Sequence, residues 1–476
     1  MCGRFLPLVL VLVALTFAAA CLASDALDQG MAAFNKGDFA AAVEQFSAAV
    51  KEQPKDAGAQ AWLGSALLRA GRNQEAAESL TKALAIDPKV PEAENNLGSA
   101  YWGMGDSKQA IEHYQKSIFL QAHYAVPHYN LGTVYLTRND FDHAVGEFSA
   151  AVELDASNAD AFNNLGVAQE RKGDGAAAIT AYAKAVALKP DSTSFRLNLA
   201  TALRAAGRSD EALPHLSRLA STTKDPAAYL NLGLIRYDRK EYALARAAFR
   251  QVVVLDKSNA TAYYDLGLCA RQLGAKAEAK GAFQRAVDLN PESVNALINL
   301  GALELDDGDA EAAAKQFATA LKVSPDSYAA AFNLGLAYVK LKNEADAIRV
   351  WSMLVEKSPN DPAVHEALAS TYFRLHKYDD AKREYEALLK LKSKDVIAQN
   401  NLGIIFEEFG QLDQAVGAYQ AALAIDPKYA PAHNNLGVVY ERQGKRDEAI
   451  AEYRAALAAD PEMKDAKRNL GRLVTE

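Results

Sequence analysis

The stretch Ala159–Ser192, ADAFNNLGVAQERKGDGAAAITAYAKAVALKPDS, holds two helices and both of their punctuation marks. Phe162, Leu165, Gly166 and Gln169 step at helical spacing and predict a first helix. Gly173 ends it, because glycine tolerates the left-handed conformation that follows a helix. Asp174 is then placed to cap a second helix. Ala178, Tyr182 and Ala185 form the inner stripe of that helix, and Pro190 blocks its continuation. Small residues at Gly166, Ala178 and Ala185 let two backbones approach closely, with Tyr182 as the knob that fills the remaining gap.

Outward from this stretch the same offsets recur. Gly437, Gly444, Ala449, Tyr453, Ala456 and Pro461 repeat them, as do Gly301, Gly308, Ala313, Phe317, Ala320 and Pro325. One column runs Gly64, Gly98, Gly132, Gly166, Ala200, Gly233, Gly267, Gly301, Gly335, Ala369, Gly403, Gly437 and Gly471. Its spacing is 34 throughout, except for 33 between Ala200 and Gly233. With this punctuation, the period resembles the tetratricopeptide repeat. The resemblance implies an all-α, right-handed superhelical solenoid of stacked helix-turn-helix units. Residues 23–463 accommodate thirteen repeats without a linker, and 464–476 read as a charged capping helix. The sixth repeat, 193–225, is one residue short and carries Pro214 in its second helix, so a kink is expected near 214–226. The eleventh, 362–395, has His376 in place of the turn glycine and Leu388 in place of a small residue.

Half of the 476 residues are hydrophobic, which is not the composition of a disordered chain. The net charge of −8 lacks the basic footprint of nonspecific nucleic-acid binding, so no nucleic-acid partner is expected. Residues 1–22 read as a leader: Arg4 precedes an apolar run, Phe5 to Ala20, and small residues follow. Three fates stay open for it. Cleavage could follow Ala20 or Ala23. Alternatively Ala18-Ala19-Ala20-Cys21 resembles a bacterial lipobox that would lipidate Cys21, although it has Ala18 where that motif usually has Leu. Retained, the leader would act as an anchor barely long enough to span a membrane. Each fate implies an exported chain, periplasmic or membrane-anchored, that touches a membrane only through its leader or a lipid on Cys21. Cys2 and Cys21 lie in the leader region, so the chain has no disulfide framework, and Cys269 reads as a small buried hydrophobe.

Within the resemblance, first helices line a concave groove and second helices the convex face. An Asn precedes the recurrent Leu in most repeats: Asn96, Asn130, Asn164, Asn198, Asn231, Asn299, Asn333, Asn401 and Asn435, with Asn469 in the cap. Trp62, Asp265 and Ala367 interrupt the column. Stacked helices lie about 8–10 Å apart, and an extended peptide advances about 3.3 Å per residue. Each Asn would therefore meet roughly every third residue of a bound peptide, pairing with its backbone through a carboxamide that both donates and accepts. This resembles the asparagine ladder of the O-linked N-acetylglucosamine transferases, which grips the substrate backbone. On that reading Asn130, Asn164 and Asn198 point into the groove, and replacing all three by Ala leaves the fold intact. The competing reading is that the Asn bond within the scaffold. Asn95, Asn163, Asn400 and Asn434 double the column, and Trp102, Tyr129, Tyr237, Tyr264 and Phe332 are candidate groove aromatics.

Members of this family that bind chaperone tails use a carboxylate clamp. Here its Lys position holds Ala61, Asn95, Tyr129 and Asn163, and its Asn position Ser65, Ser99, Thr133 and Val167, so that ligand is not expected. No phosphate loop, nucleophile elbow or Cys–His pairing is present, and the histidines lack metal spacing. No enzyme activity, cofactor or metal is therefore expected. The expected function is a scaffold that binds extended peptide segments or partner proteins, in assembly of an envelope or secretion complex. A substrate-recruiting accessory of a separate glycosyltransferase and a structural envelope spacer are the alternatives.

Overall fold

A computed structural model of the chain describes residues 25–475. The leader, with the cleavage sites and Cys21, lies outside the described residues. Among those described there are 27 α-helices and no strands. Contacts group them into two compact units, one ending at Leu255 and one beginning at Asp256. None of these helices is long and apolar enough to cross a membrane.

From Ala57 onward, the first helices of the repeats begin at the predicted phase: Ala57–Arg69, Pro91–Gly103, Ala125–Thr137 and so on to Ala430–Arg442. Each is followed by a second helix of constant length, such as Gly175–Leu188, with Ser209–Thr223 as the single exception. The interior is built on one recurrent pair, a small residue on the first helix beneath a large one on the second. A Cβ added to Gly166 would stand 2.6 Å from the Tyr182 ring, so the bare glycine lets the tyrosine lie flat on the first helix. The same holds for Gly30 on Phe46, Gly98 on Tyr114, Gly267 on Phe283 and Gly403 on Tyr419. These rings are fully buried, each contributing about 1.5–3 kcal/mol of burial. Their polar ends find partners: the hydroxyls of Tyr182 and Tyr419 donate to Glu170 and Glu407, and Trp351 Nε1 donates to the Phe332 carbonyl.

The turn inside each repeat is closed by one left-handed residue. It is glycine at nine positions, among them Gly173 and Gly308, and otherwise Asn139, Lys240, Lys342 and His376. The following residue often caps the second helix, as Asp174 does by accepting from the Ala177 amide at 3.0 Å. A β-carbon in the left-handed region costs about 1–2 kcal/mol, and glycine gives part of that back through its greater freedom in the unfolded chain. Lys342→Gly is therefore expected to stabilise the protein by about 0.5–1 kcal/mol in denaturant unfolding. An unchanged midpoint would show that the Lys342 backbone, at φ 56°, is not strained.

The missing residue of the sixth repeat has a local explanation. Its second helix, Ser209–Thr223, runs through Pro214 and is one residue longer than its sisters. Only Lys224 and Asp225 then separate it from the next helix, where Asp155 to Asn158 serve at an ordinary junction. Lys224 makes the shortcut by ending the helix at φ 52°.

Candidate functional site

Position four of a repeat, counted from the start of its first helix, faces position 23 on its second helix. Four repeats fill this place with an acid and a base: Glu94 with His113, His128 with Glu147, His365 with Glu384, and His433 with Glu452, at 2.6–2.7 Å. The 19-residue spacing was visible in the sequence, but it is not a metal spacing and sequence reasoning passed over it. In two of these repeats the other ring nitrogen meets a proline carbonyl six residues upstream, Pro359 for His365 and Pro427 for His433. These pairs join the two helices of one repeat.

The Asn column proves to be largely internal. Asn130 and Asn164 are 2% and 3% exposed, and Asn231 is also buried. Their amide groups donate within the scaffold, although Asn130 Oδ1 is buried without a hydrogen-bond partner among the described residues. Asn130 donates to Asn95 Oδ1 at 3.0 Å, Asn164 to the Tyr129 hydroxyl at 3.0 Å, and Asn198 to Asn163 Oδ1 at 2.8 Å. Asn96 donates to Ser65 Oγ. Near the C-terminus the bonds join into a chain. Asn469 donates to Asn434, Asn434 to Asn435, Asn435 to Asn400, Asn400 to Asn401, and Asn401 to the Tyr385 hydroxyl. The expectation that Asn130, Asn164 and Asn198 project into the groove is therefore corrected: they join one repeat to the next. The physical reason is the doubled column. A polar residue at position five offers an acceptor to the position-six Asn of the following repeat, as Asn95 does to Asn130.

Where no such bond forms, the Asn turns elsewhere. Asn299 and Asn333 each donate to the carbonyl four residues back in their own helix, and Asn299 also accepts from Arg271. Asn231 donates to the Ala227 carbonyl and accepts from Arg204. Asn299 and Asn333 remain half-buried.

The candidate aromatics divide in the same way. Tyr129 is buried against Phe148 and serves the Asn164 bond, so it is no groove anchor. Trp102 packs half-buried on the cluster around Tyr114. Tyr237 meets Tyr242 edge-on at 5.4 Å, Tyr264 leans on Phe283 at 5.8 Å, and Phe332 stacks on Tyr328 at 5.8 Å. These last three keep part of their surface exposed.

Asp265 interrupts the Asn column, and burial pushes its carboxyl up to about 6. Its Oδ2 is buried without a hydrogen-bond partner among the described residues. In the unfolded chain an Asp titrates near about 3.9. The folded state therefore holds this proton more tightly, and stability falls as pH rises between the two values. Asp265→Asn restores the residue of the column and removes the titration. It is expected to stabilise the protein by about 1–2 kcal/mol at pH 7 and hardly at all at pH 4, read by denaturant unfolding at both. Equal effects at the two pH values would show that folding does not raise the affinity of this carboxyl for its proton.

Among the described residues no group of three or more His, Cys, Asp or Glu is placed to hold a metal ion. Cys269 is buried.

Comparison with known proteins bears on the whole array. A tetratricopeptide repeat family model matches residues 27–91, 129–193 and 366–430. Two further tetratricopeptide repeat models match 67–119 and 170–233, and 430–463. Residues 239–355 match the middle TPR-like domain of cilia and flagella-associated protein 70. No curated protein matches the chain. Among solved structures it is similar to the APC/C hetero-tetramer Cut9-Hcn1, at 16% identity over 94% of this chain and 96% of that one, with a TM-score of 0.36. It is similar to MamA, at 28% identity over 35% of this chain and 90% of that one, TM-score 0.32. It is also similar to a tetratricopeptide repeat protein from Parabacteroides merdae, at 17% identity over 53% and 99%, TM-score 0.37. With the repeat period, the glycine–aromatic pairs and the helix phase in agreement, the chain belongs to the tetratricopeptide repeat family.

Proposed function

We propose that the chain is a protein-protein interaction scaffold, and that the segment it holds lies on the first helices of the ninth and tenth repeats. The observation that supports this placement is the contrast within the Asn column. Asn299 and Asn333 stand on successive first helices, half-buried, and donate to their own helices rather than to a neighbouring repeat, although Asn299 also accepts from Arg271 of the preceding repeat. Each has one amide hydrogen committed to its own helix and a second to offer. Phe332 stands beside Asn333 with part of its ring exposed, as an apolar anchor for the same segment.

A photo-crosslinking residue at Asn299 or at Asn333 is expected to capture the same partner from native extracts. The same residue at the exposed Glu311, on the second helix, is expected to capture none. Capture from Glu311 alone would move the site to the other face, and equal capture from all three would remove the specificity claimed.

Export and a role in assembling an envelope complex are part of the same proposal. Their support is the leader sequence, with its apolar run Phe5 to Ala20 ahead of Cys21. Mass spectrometry of the native N-terminus is expected to find Cys21 either removed with the leader or lipidated. An intact Met1 species in the cytoplasm would sink the export reading.

A further inference from the structure

The sixth repeat breaks the acid–base rule at positions four and 23. Arg196 takes the place held elsewhere by His128, His365 and His433, and like the last two it reaches a proline carbonyl six residues upstream, here Pro190. Its partner at position 23 is His215, whose Nδ1 lies 3.3 Å from Arg196 Nη1. No carboxylate among the described residues closes the pair. Arg196 is 8% exposed, so its guanidinium is buried with hydrogen bonds only to a carbonyl and an imidazole. Burying a charge is costly unless another charge or strong hydrogen bonds compensate it.

Arg196 borders a recess of about 230 Å³ at the shortened junction, together with Pro190, Thr193, Arg218, Thr222 and Thr223. Arg218 is a second guanidinium on the same wall. Burial, and then the nearby Arg218 charge, push Arg196 below its ordinary range, while Asp191 pulls the other way. Asp191 also borders the recess, but it is 96% exposed and meets Arg218 only at 3.4 Å. The hydroxyls of Thr222 and Thr223 have their protons committed to the carbonyls of Arg218 and Leu219. Ser192 Oγ caps the helix Thr193–Ala205 by accepting from the Phe195 amide, so the donors left for a ligand are the two guanidiniums, with Arg218 released from Asp191, and the Thr193 and Ser194 amides, which have no intrahelical acceptor.

We propose that this recess is a binding site for a phosphate-type oxyanion, held between Arg196 and Arg218 at the start of the helix Thr193–Ala205. Two guanidiniums match the charge of a doubly ionised phosphate once the exposed Asp191 swings away, and planar guanidinium forks suit its oxygens. The phosphate group has two possible sources, the free ion or a phosphorylated segment of a partner.

The test is calorimetric titration of the full chain with inorganic phosphate and with a phosphoserine peptide, at ionic strength matched with chloride. Saturable binding is expected. Arg218→Gln should weaken it about tenfold or more, since a hydrogen bond to a charged group is lost. Asp191→Asn should strengthen it by removing the competing carboxylate. His215→Glu is the decisive variant. It installs the carboxylate that sister repeats carry at this position, so the fold should tolerate it, while neutralising Arg196 from within and abolishing binding. Tighter binding of the peptide than of the free ion, with the same dependence on variants, would identify a phosphorylated segment as the source. The reverse order would identify the free ion. The assignment is overturned if no response exceeds that to chloride, if His215→Glu and Arg218→Gln bind as the native chain does, or if acetate binds as well as phosphate.

Discussion

Trp351→Ala is expected to cost about 3–5 kcal/mol, the largest loss from any single truncation in the array. Trp351 is the bulkiest fully buried side chain of the structure and occupies the column filled elsewhere by Tyr, Phe or Leu. It fits because Gly335 beneath it has no side chain: an added Cβ would collide with Nε1 and Cε2 of the indole. The sixth repeat uses the alternative solution, with Ala200 under Leu216, both buried. This yields a sharper test than truncation. Gly335→Ala alone overpacks the pair and Trp351→Leu alone leaves it underpacked, each at about 1–3 kcal/mol. Made together they reproduce the Ala200–Leu216 pair, and the double variant is expected to lose less than the sum of the single losses by at least about 1 kcal/mol. Additive losses in urea unfolding would mean that the two positions do not touch in the way described.

That coupling was legible only in part: a small residue and a large one recur at the repeat period, but Ala369 opposite Tyr385 and Gly64 opposite Leu80 show that their sizes do not fix each other. The left-handed turn was legible in the sequence, even at His376, since a conformation demanded by the fold persists when glycine is absent. The helix phase followed from the same period. The orientation of the Asn column was not legible. Whether Asn164 faces a groove or a neighbour depends on Tyr129, a residue of the preceding repeat, and periodicity within one helix is silent about it. The acid–base pairs could have been found, because the spacing of His365 and Glu384 recurs in three other repeats. It was missed because a search for metal or catalytic spacing asks which polar residues lie near each other in sequence. These pairs come from opposite helices. The sixth repeat was recognised as irregular, but that His215 replaces a glutamate, and so leaves a buried charge open, emerges only when the four sister pairs are seen in space.

The competing readings of the Asn column now predict opposite outcomes. Asn400 is 5% exposed, accepts from Asn435 at 3.2 Å and donates to Asn401 at 3.3 Å. Removing its buried carboxamide leaves the half-buried Asn435 amide and Asn401 carbonyl without their partner, at about 1–2 kcal/mol each, the lower part of the range for unmet buried groups. Asn400→Ala is therefore expected to destabilise the protein by about 2–4 kcal/mol with no ligand present. Asn333→Ala breaks one bond of about 0.5–1.5 kcal/mol to its own helix, and alanine's higher helix propensity offsets part of that, so little stability should be lost. Its effect should appear instead in capture of a partner. The triple change at Asn130, Asn164 and Asn198, harmless if those side chains faced a groove, should unfold the N-terminal unit at lower denaturant, because each joins two successive repeats. Two results would restore the gripping reading: equal small losses from Asn400→Ala and Asn333→Ala, or an intact fold in the triple variant accompanied by loss of a bound partner. Strong destabilisation by Asn400→Ala with no change from Asn333→Ala would leave the column as a clasp between repeats, open to a ligand only where a half-buried Asn donates to its own helix instead.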